Sequence, residues 1–308
     1  MKTKLVLFLT LVLTLSISSS CENDNKTTSN ELSSNKLNQT LKKFNNNFNY
    51  QEMNPSFLEN KKDWWETLGE VCAIATADAG GAAVGVAGVQ VVAGVVGAAT
   101  AGTGYAVVAT VGGVVGAYGG SYAAYAAFHP KRGTFNNIGP KGTSVIYNLP
   151  EEYSHLNNFG LLHNNGLENV YFSGANCQTD LQWMSQNISN INDIDYVTLY
   201  NSIEFQNLIN NIKSSSIRFS ESNYSYTVLL NDYKNKKLMN ETVSSVLSNF
   251  FEAANRAVVY EDVKQINDFY VSSIVNSNLN TKDKEAILAS LTVYIQSYYY
   301  WYNFQIEE

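Results

Sequence analysis

The chain reads as mainly α: a Gly/Ala-rich hydrophobic helical hairpin followed by an all-α helical domain. Three observations point there. Residues 79–128 carry no charged side chain and are dominated by Gly, Ala and Val. From about residue 151 apolar positions recur at steps of three and four, the helical period, as in Val243, Val246, Leu247, Phe250, Phe251, Ala254 and Val258. Three of the four prolines, with three glycines, fall in residues 129–150, an irregular connector that separates the two regions.

Residues 1–20 have Lys2 and Lys4 before the uncharged run "LVLFLTLVLTLSISSS", the layout of an export signal. Cys21 follows at once. From Glu22 to about Asn60 the chain is rich in Asn, Ser, Thr and Lys, with too little apolar surface to offset the entropy of ordering, so residues 21–60 are expected to be a disordered polar tether holding at most a short helix around Leu37 to Phe44.

Residues 61–130 are assigned to the hairpin. Trp64 and Trp65 precede a helical spacing of Leu68, Val71, Cys72 and Ala75. Paired indoles suit either a membrane–water boundary or the edge of a core. The uncharged run divides at "AGTG" (101–104). At ~1.5 Å per residue, 79–100 and 105–128 each match a bilayer core of ~30 Å. Gly112, Gly116 and Gly120 stand four apart and Gly81 with Gly85 repeats the step, so each helix offers a smooth stripe for close helix packing. Tyr118, Tyr122 and Tyr125 form a neighbouring stripe suited to a membrane interface. Ala and Gly are weakly driven into lipid, which leaves two fates open: association with a bilayer, or burial in a soluble bundle where glycine lets helices approach.

Residues 131–308 are assigned to the α-helical domain. A short strand is expected at Ser144 to Tyr147, helices at 151–172, 178–191 and 194–214, two more from the periodic runs ending near Val258 and Ile274, and a last one after the cap Asn280-Thr281. The aromatics Tyr298, Tyr299, Tyr300, Trp301 and Tyr302 spread around that helix, so they cannot all face one core.

Composition limits the chemistry. The net charge is -7 and basic residues do not cluster, which argues against nucleic acid. Only three His are present. Glu152 and His155 make one ExxH pair with no second, so no metal or cofactor is expected. P-loop, GxSxG, HExxH and CxxC motifs are absent. His163, next to Asn164 in "NNFGLLHNNGLENVYF", reads as a buried, hydrogen-bonded residue rather than a catalyst. The expectation is no enzyme. Cys72 and Cys177 either pair in an oxidising compartment or remain two buried thiols.

Small residues ending in Cys21 resemble the lipobox of bacterial lipoproteins, with Ser18 where Leu is usual; the resemblance implies acylation of Cys21 and attachment to membrane lipid. The acids in "ENDNK" resemble the export tag of Bacteroidota-type surface lipoproteins and imply the outer membrane or cell surface. Residues 79–128 resemble the two-helix glycine-zipper segments of some such lipoproteins, and a hydrophobic hairpin among amphipathic helices is similar in layout to colicins. His163-Asn164 is similar to a Gly-x-x-His-Asn pattern in uncharacterised exported proteins. The resemblance implies a lipid-anchored protein with a membrane-associating hairpin, pore-forming or envelope-active and self-associating. The alternative is a structural or protein-binding envelope lipoprotein whose hairpin lies inside a soluble helical bundle.

Overall fold

The computed structural model describes residues 23–52, 64–96, 104–128, 145, 147–171, 186–188 and 196–307. Among them the chain is mainly α-helical, with no strand. In order these are α1 (Asn23–Asn47), α2 (Trp64–Val96), α3 (Gly104–Phe128), a 3-10 turn (Glu151–Leu156), α4 (Phe159–Tyr171), α5 (Tyr196–Asn201), α6 (Ile203–Glu221), α7 (Tyr226–Asn235), α8 (Glu241–Ala254), α9 (Tyr260–Val275) and α10 (Thr281–Glu307).

Three helices form the centre. A helix that is apolar all round must be surrounded, since no face of it gains from water. The helices α2 and α3 have that composition, and every described side chain from Val71 to Val86 and from Ala109 to Ser121 is buried. They pack on each other, and α10 packs along α2. Amphipathic helices form the outer layer: α6 lies on both α2 and α3, α4 on α3 and α10, and α8 and α9 on α10.

Close approach sets the α2–α3 contact. A Cβ at Gly85 would overlap the carbonyl of Gly112, and one at Gly81 that of Gly116. Reciprocally, a Cβ at Gly116 would overlap the Gly81 carbonyl, and one at Gly120 the Ala77 carbonyl. The two backbones therefore touch along several turns. Other helical glycines admit outer-layer side chains: a Cβ at Gly113 would come within 2.6 Å of Phe159, and one at Gly88 within 2.7 Å of Leu208.

The polar segment after Cys21 departs from the sequence expectation of a tether over 21–60. Helix α1 occupies Asn23–Asn47 and docks on α8 and α9. Leu37 and Leu41 are buried, and Phe44 stacks on Phe269 with centroids 3.8 Å apart. The many Asn side chains become docking bonds: Asn38 Nδ2 donates to Ser245 Oγ at 2.9 Å, Asn249 Nδ2 to Asn38 Oδ1 at 2.8 Å, Asn45 Nδ2 to the Asn249 carbonyl at 2.8 Å and Tyr270 OH to Asn45 Oδ1 at 3.0 Å. A narrow apolar stripe with polar flanks suffices to order the segment because its partner surface is preformed. Residues 53–60 of the expected tether lie outside the described residues.

Further differences follow from local chemistry. Val145 and Tyr147 are not in a strand; the Val145 N–H donates to Gln296 Oε1 at 3.0 Å, so this extended segment pairs with a side chain of α10. The helix expected at 194–214 is two helices, because Ser202 at φ -67° and ψ 136° breaks the chain and caps α6, accepting from the Phe205 N–H. Of the helix expected at 178–191, only 186–188 lies within the described residues. At the C-terminus Tyr298, Tyr300 and Trp301 are all buried, since α10 is flanked by α2, α4, α8 and α9 and has no single core face.

Gly85→Ala is predicted to destabilise the bundle by at least ~1–3 kcal/mol in urea unfolding, because the obstacle is backbone. Gly69→Ala is predicted to stabilise it by up to ~1 kcal/mol, since an added methyl there meets nothing within 4 Å.

Candidate functional site: a buried polar cluster

A fully buried acid interrupts the apolar run of α2. Asp78 sits in the middle of α2, fully buried, one turn before the Gly81–Gly116 contact. Because glycine brings α3 so close, Ser121 Oγ lies 2.5 Å from Asp78 Oδ1. From α10, Ser297 Oγ donates to Asp78 Oδ2, and the Trp301 side chain also faces the carboxyl. From α4, His163 Nε2 stands 2.8 Å from Ser121 Oγ and 3.4 Å from Asp78 Oδ2. Four helices thus meet at one carboxyl group.

The cluster continues along α4 and α10. His163 Nδ1 is 3.0 Å from Asn164 Oδ1, and Asn164 Nδ2 donates to the Gln296 carbonyl at 3.2 Å. A Cβ at Gly160 would collide with the Gln296 side chain, so α4 rests directly on α10. Asp78, Ser121, His163 and Ser297 are each 0% exposed. Burial pushes the Asp78 carboxyl up to about 8 against the opposing hydrogen bonds of Ser121 and Ser297. Burial also drives the His163 imidazole down to about 4, opposed by its bond to Asn164.

A Ser, a His and an Asp in contact invite comparison with a nucleophilic triad, and the geometry is different. A triad needs the carboxylate on one imidazole nitrogen and the hydroxyl on the other, so that the acid orients the base that activates the nucleophile. Here Asp78 and Ser121 both face Nε2, while Nδ1 is occupied by Asn164. No side chain of the cluster reaches solvent. The arrangement holds helices together.

The residues singled out from sequence distribute as follows. Gly81 faces Gly116, Gly85 faces Gly112 and Gly120 faces Ala77 across the α2–α3 contact. Tyr118 is fully buried and meets no boundary with solvent. The side chains of Trp64, Trp65, Tyr122 and Tyr125, together with Cys21 and Cys177, lie outside the described residues. Cys72 is a free, buried thiol on α2 beside Tyr294 of α10; burial pushes it up to about 12. His155 Nε2 is 3.6 Å from Glu285 Oε1, and among the described residues no group of His, Cys, Asp and Glu is arranged to hold a metal ion.

Sequence reasoning missed Asp78, Ser121 and Ser297. Asp78 served only as the border of the uncharged run, and two serines in Ser-rich surroundings give no signal. The one clue was spacing: an acid within a helical continuation of Val71, Ala75 and Ala82 falls on the apolar face.

Comparison with known proteins finds no match. No family model matches the chain, and no match was found among curated proteins or solved structures.

A fluorophosphonate probe is predicted to leave native Ser121 unmodified; labelling that disappears in Ser121→Ala would contradict the structural role. Ser121→Ala itself is predicted to cost ~1–3 kcal/mol in urea unfolding, because it strips a buried carboxyl and a buried imidazole of a shared partner.

Proposed function

We propose that the protein is an envelope lipoprotein, acylated at Cys21 and held at the outer membrane or cell surface, that acts by binding or by structure and not by catalysis. Its Gly/Ala hairpin is the permanent core of the helical bundle. The observation carrying this reading is the polar cluster: Asp78, buried in α2, is bonded simultaneously to Ser121 on the partner helix of the hairpin and to Ser297 on α10 outside it, with His163 of α4 3.4 Å away. Moving the hairpin out of the bundle costs those bonds together with the apolar burial of α2 and α3.

Docked α1 supports the anchoring role. It begins two residues after Cys21, and its described buried side chains begin at Ser34 and Leu37. On this reading the residues before that contact form a helical strut. Spanning Asn23 to Ser33 at ~1.5 Å per residue, it holds the body about 15 Å from the lipid.

Membrane association of the hairpin is the competing reading. It is favoured by the segment Glu66–Gly88, which is long and apolar enough to cross a bilayer, with mean hydropathy 1.5; the same segment is 89% buried, as in the core helix of a soluble protein.

Two measurements separate the readings. Cells fed an alkyne-bearing palmitate analogue are predicted to label the protein, and Cys21→Ser to abolish the label. The unacylated Cys21→Ser chain is predicted neither to float with phospholipid vesicles nor to release an entrapped dye. Flotation or dye release by that chain would replace the buried-core reading with the membrane-active one.

A further inference from the structure

The hydrogen count of the buried cluster does not close with side chains in their ordinary neutral-pH forms. Asn164 spends its amide nitrogen on the Gln296 carbonyl, so its oxygen faces His163 Nδ1 and that nitrogen carries the imidazole hydrogen. Nε2 of a neutral ring is then an acceptor. Ser121 Oγ lies within hydrogen-bond distance of that acceptor, 2.8 Å, and of Asp78 Oδ1, 2.5 Å. An ionised Asp78 is also only an acceptor. One hydroxyl hydrogen cannot serve both contacts. The Ser297 hydroxyl is spent on Asp78 Oδ2.

One more proton completes the set. Placed on Asp78 Oδ1, it donates to Ser121 Oγ and releases the Ser121 hydrogen to Nε2. Placed on Nε2, it donates to Ser121 Oγ and leaves the Ser121 hydrogen for Asp78. Both arrangements contain the same number of protons, and no other charge competes for the position. The groups facing Asp78 are Ser121 from α3, His163 from α4, Ser297 and Trp301 from α10, and Tyr233 from α7, none of them a permanent cation.

We propose that the Asp78–Ser121–His163–Ser297 cluster is a proton-loaded clamp, in which one proton taken from solvent on folding closes the hairpin onto α4 and α10 and whose loss loosens that hold. This inference stands independently of the envelope role.

The sign follows from linkage. An acid whose value rises from 3.8 unfolded to about 8 folded makes folding take up a proton across that interval, so stability falls as pH rises through it. A histidine lowered from 6.5 to about 4 does the reverse, so stability rises with pH across that lower interval. The two cancel between about 4 and 6.5. From 6.5 to about 8 only the acid contributes.

The test is urea unfolding of the full chain at a series of pH values, beside Asp78→Asn, whose amide N–H supplies the missing hydrogen without a proton from solvent. Between pH 6.5 and 8 the wild-type unfolding constant is expected to rise about tenfold per pH unit relative to the variant. Equal slopes in the two proteins overturn the proposal. Should Asp78→Asn fail to fold, calorimetric unfolding of the wild type at pH 7.5 in buffers of different ionisation enthalpy counts the proton directly. Release of about one proton on unfolding upholds the clamp, and release of none overturns it.

Discussion

Everything in this bundle depends on how closely α2 and α3 approach. Where Gly81 and Gly85 meet Gly116 and Gly112, main-chain atoms touch main-chain atoms, and side chains that would ordinarily separate two helices are missing. That contact is dry and apolar, gaining dispersion along the full length of the seam and leaving no space for water. It also fixes register. Once Gly85 lies on Gly112, Asp78 lies beside Ser121, and that polar pair becomes internal to the hairpin.

The outer helices then follow from what the hairpin cannot satisfy alone. Two all-apolar helices expose too much surface to exist in water as a pair, so they require a sheath. The helix α10 supplies its centre, with Tyr294 beside Cys72 of α2 and Ser297 bonded to Asp78. Aromatic rings fill the wider spaces further out, as where Phe250 meets Tyr294 at 4.9 Å and Tyr270 at 5.2 Å. The polar cluster adds direction to this packing. Apolar helices slide past one another at small cost, whereas a buried carboxyl bonded from both α3 and α10 permits one arrangement, since any slip leaves polar atoms unpaired in a low-dielectric interior.

Much of this fold was legible in the sequence where a residue type has one physical use. The charge-free run, the glycine spacing and the periodic apolar positions of α8 and α9 each point to helix. What escaped notice depends on partners distant in sequence. Helix α1 is polar by composition, and the value of Leu37, Leu41 and Phe44 appears only against Phe269 and the asparagine pairs of α8. The aromatic end of α10 was readable as packing against the bundle, whereas the burial of rings on several sides of the helix was not, because its surroundings come from four different helices. Asp78 was hidden by its own charge: an acid signals a boundary unless its surroundings neutralise it, and those surroundings come from residues 121, 163 and 297.

The central claim is that the hairpin is the sealed core of the molecule. Cys72, buried where α2 meets Tyr294 of α10, reports on it directly. In a full chain carrying Cys21→Ser and Cys177→Ser, Cys72 is predicted to stay unreactive toward Ellman's reagent for hours at pH 7.5, with or without phospholipid vesicles, and to react fully only in denaturant. Prompt modification of the native protein in buffer would contradict the account.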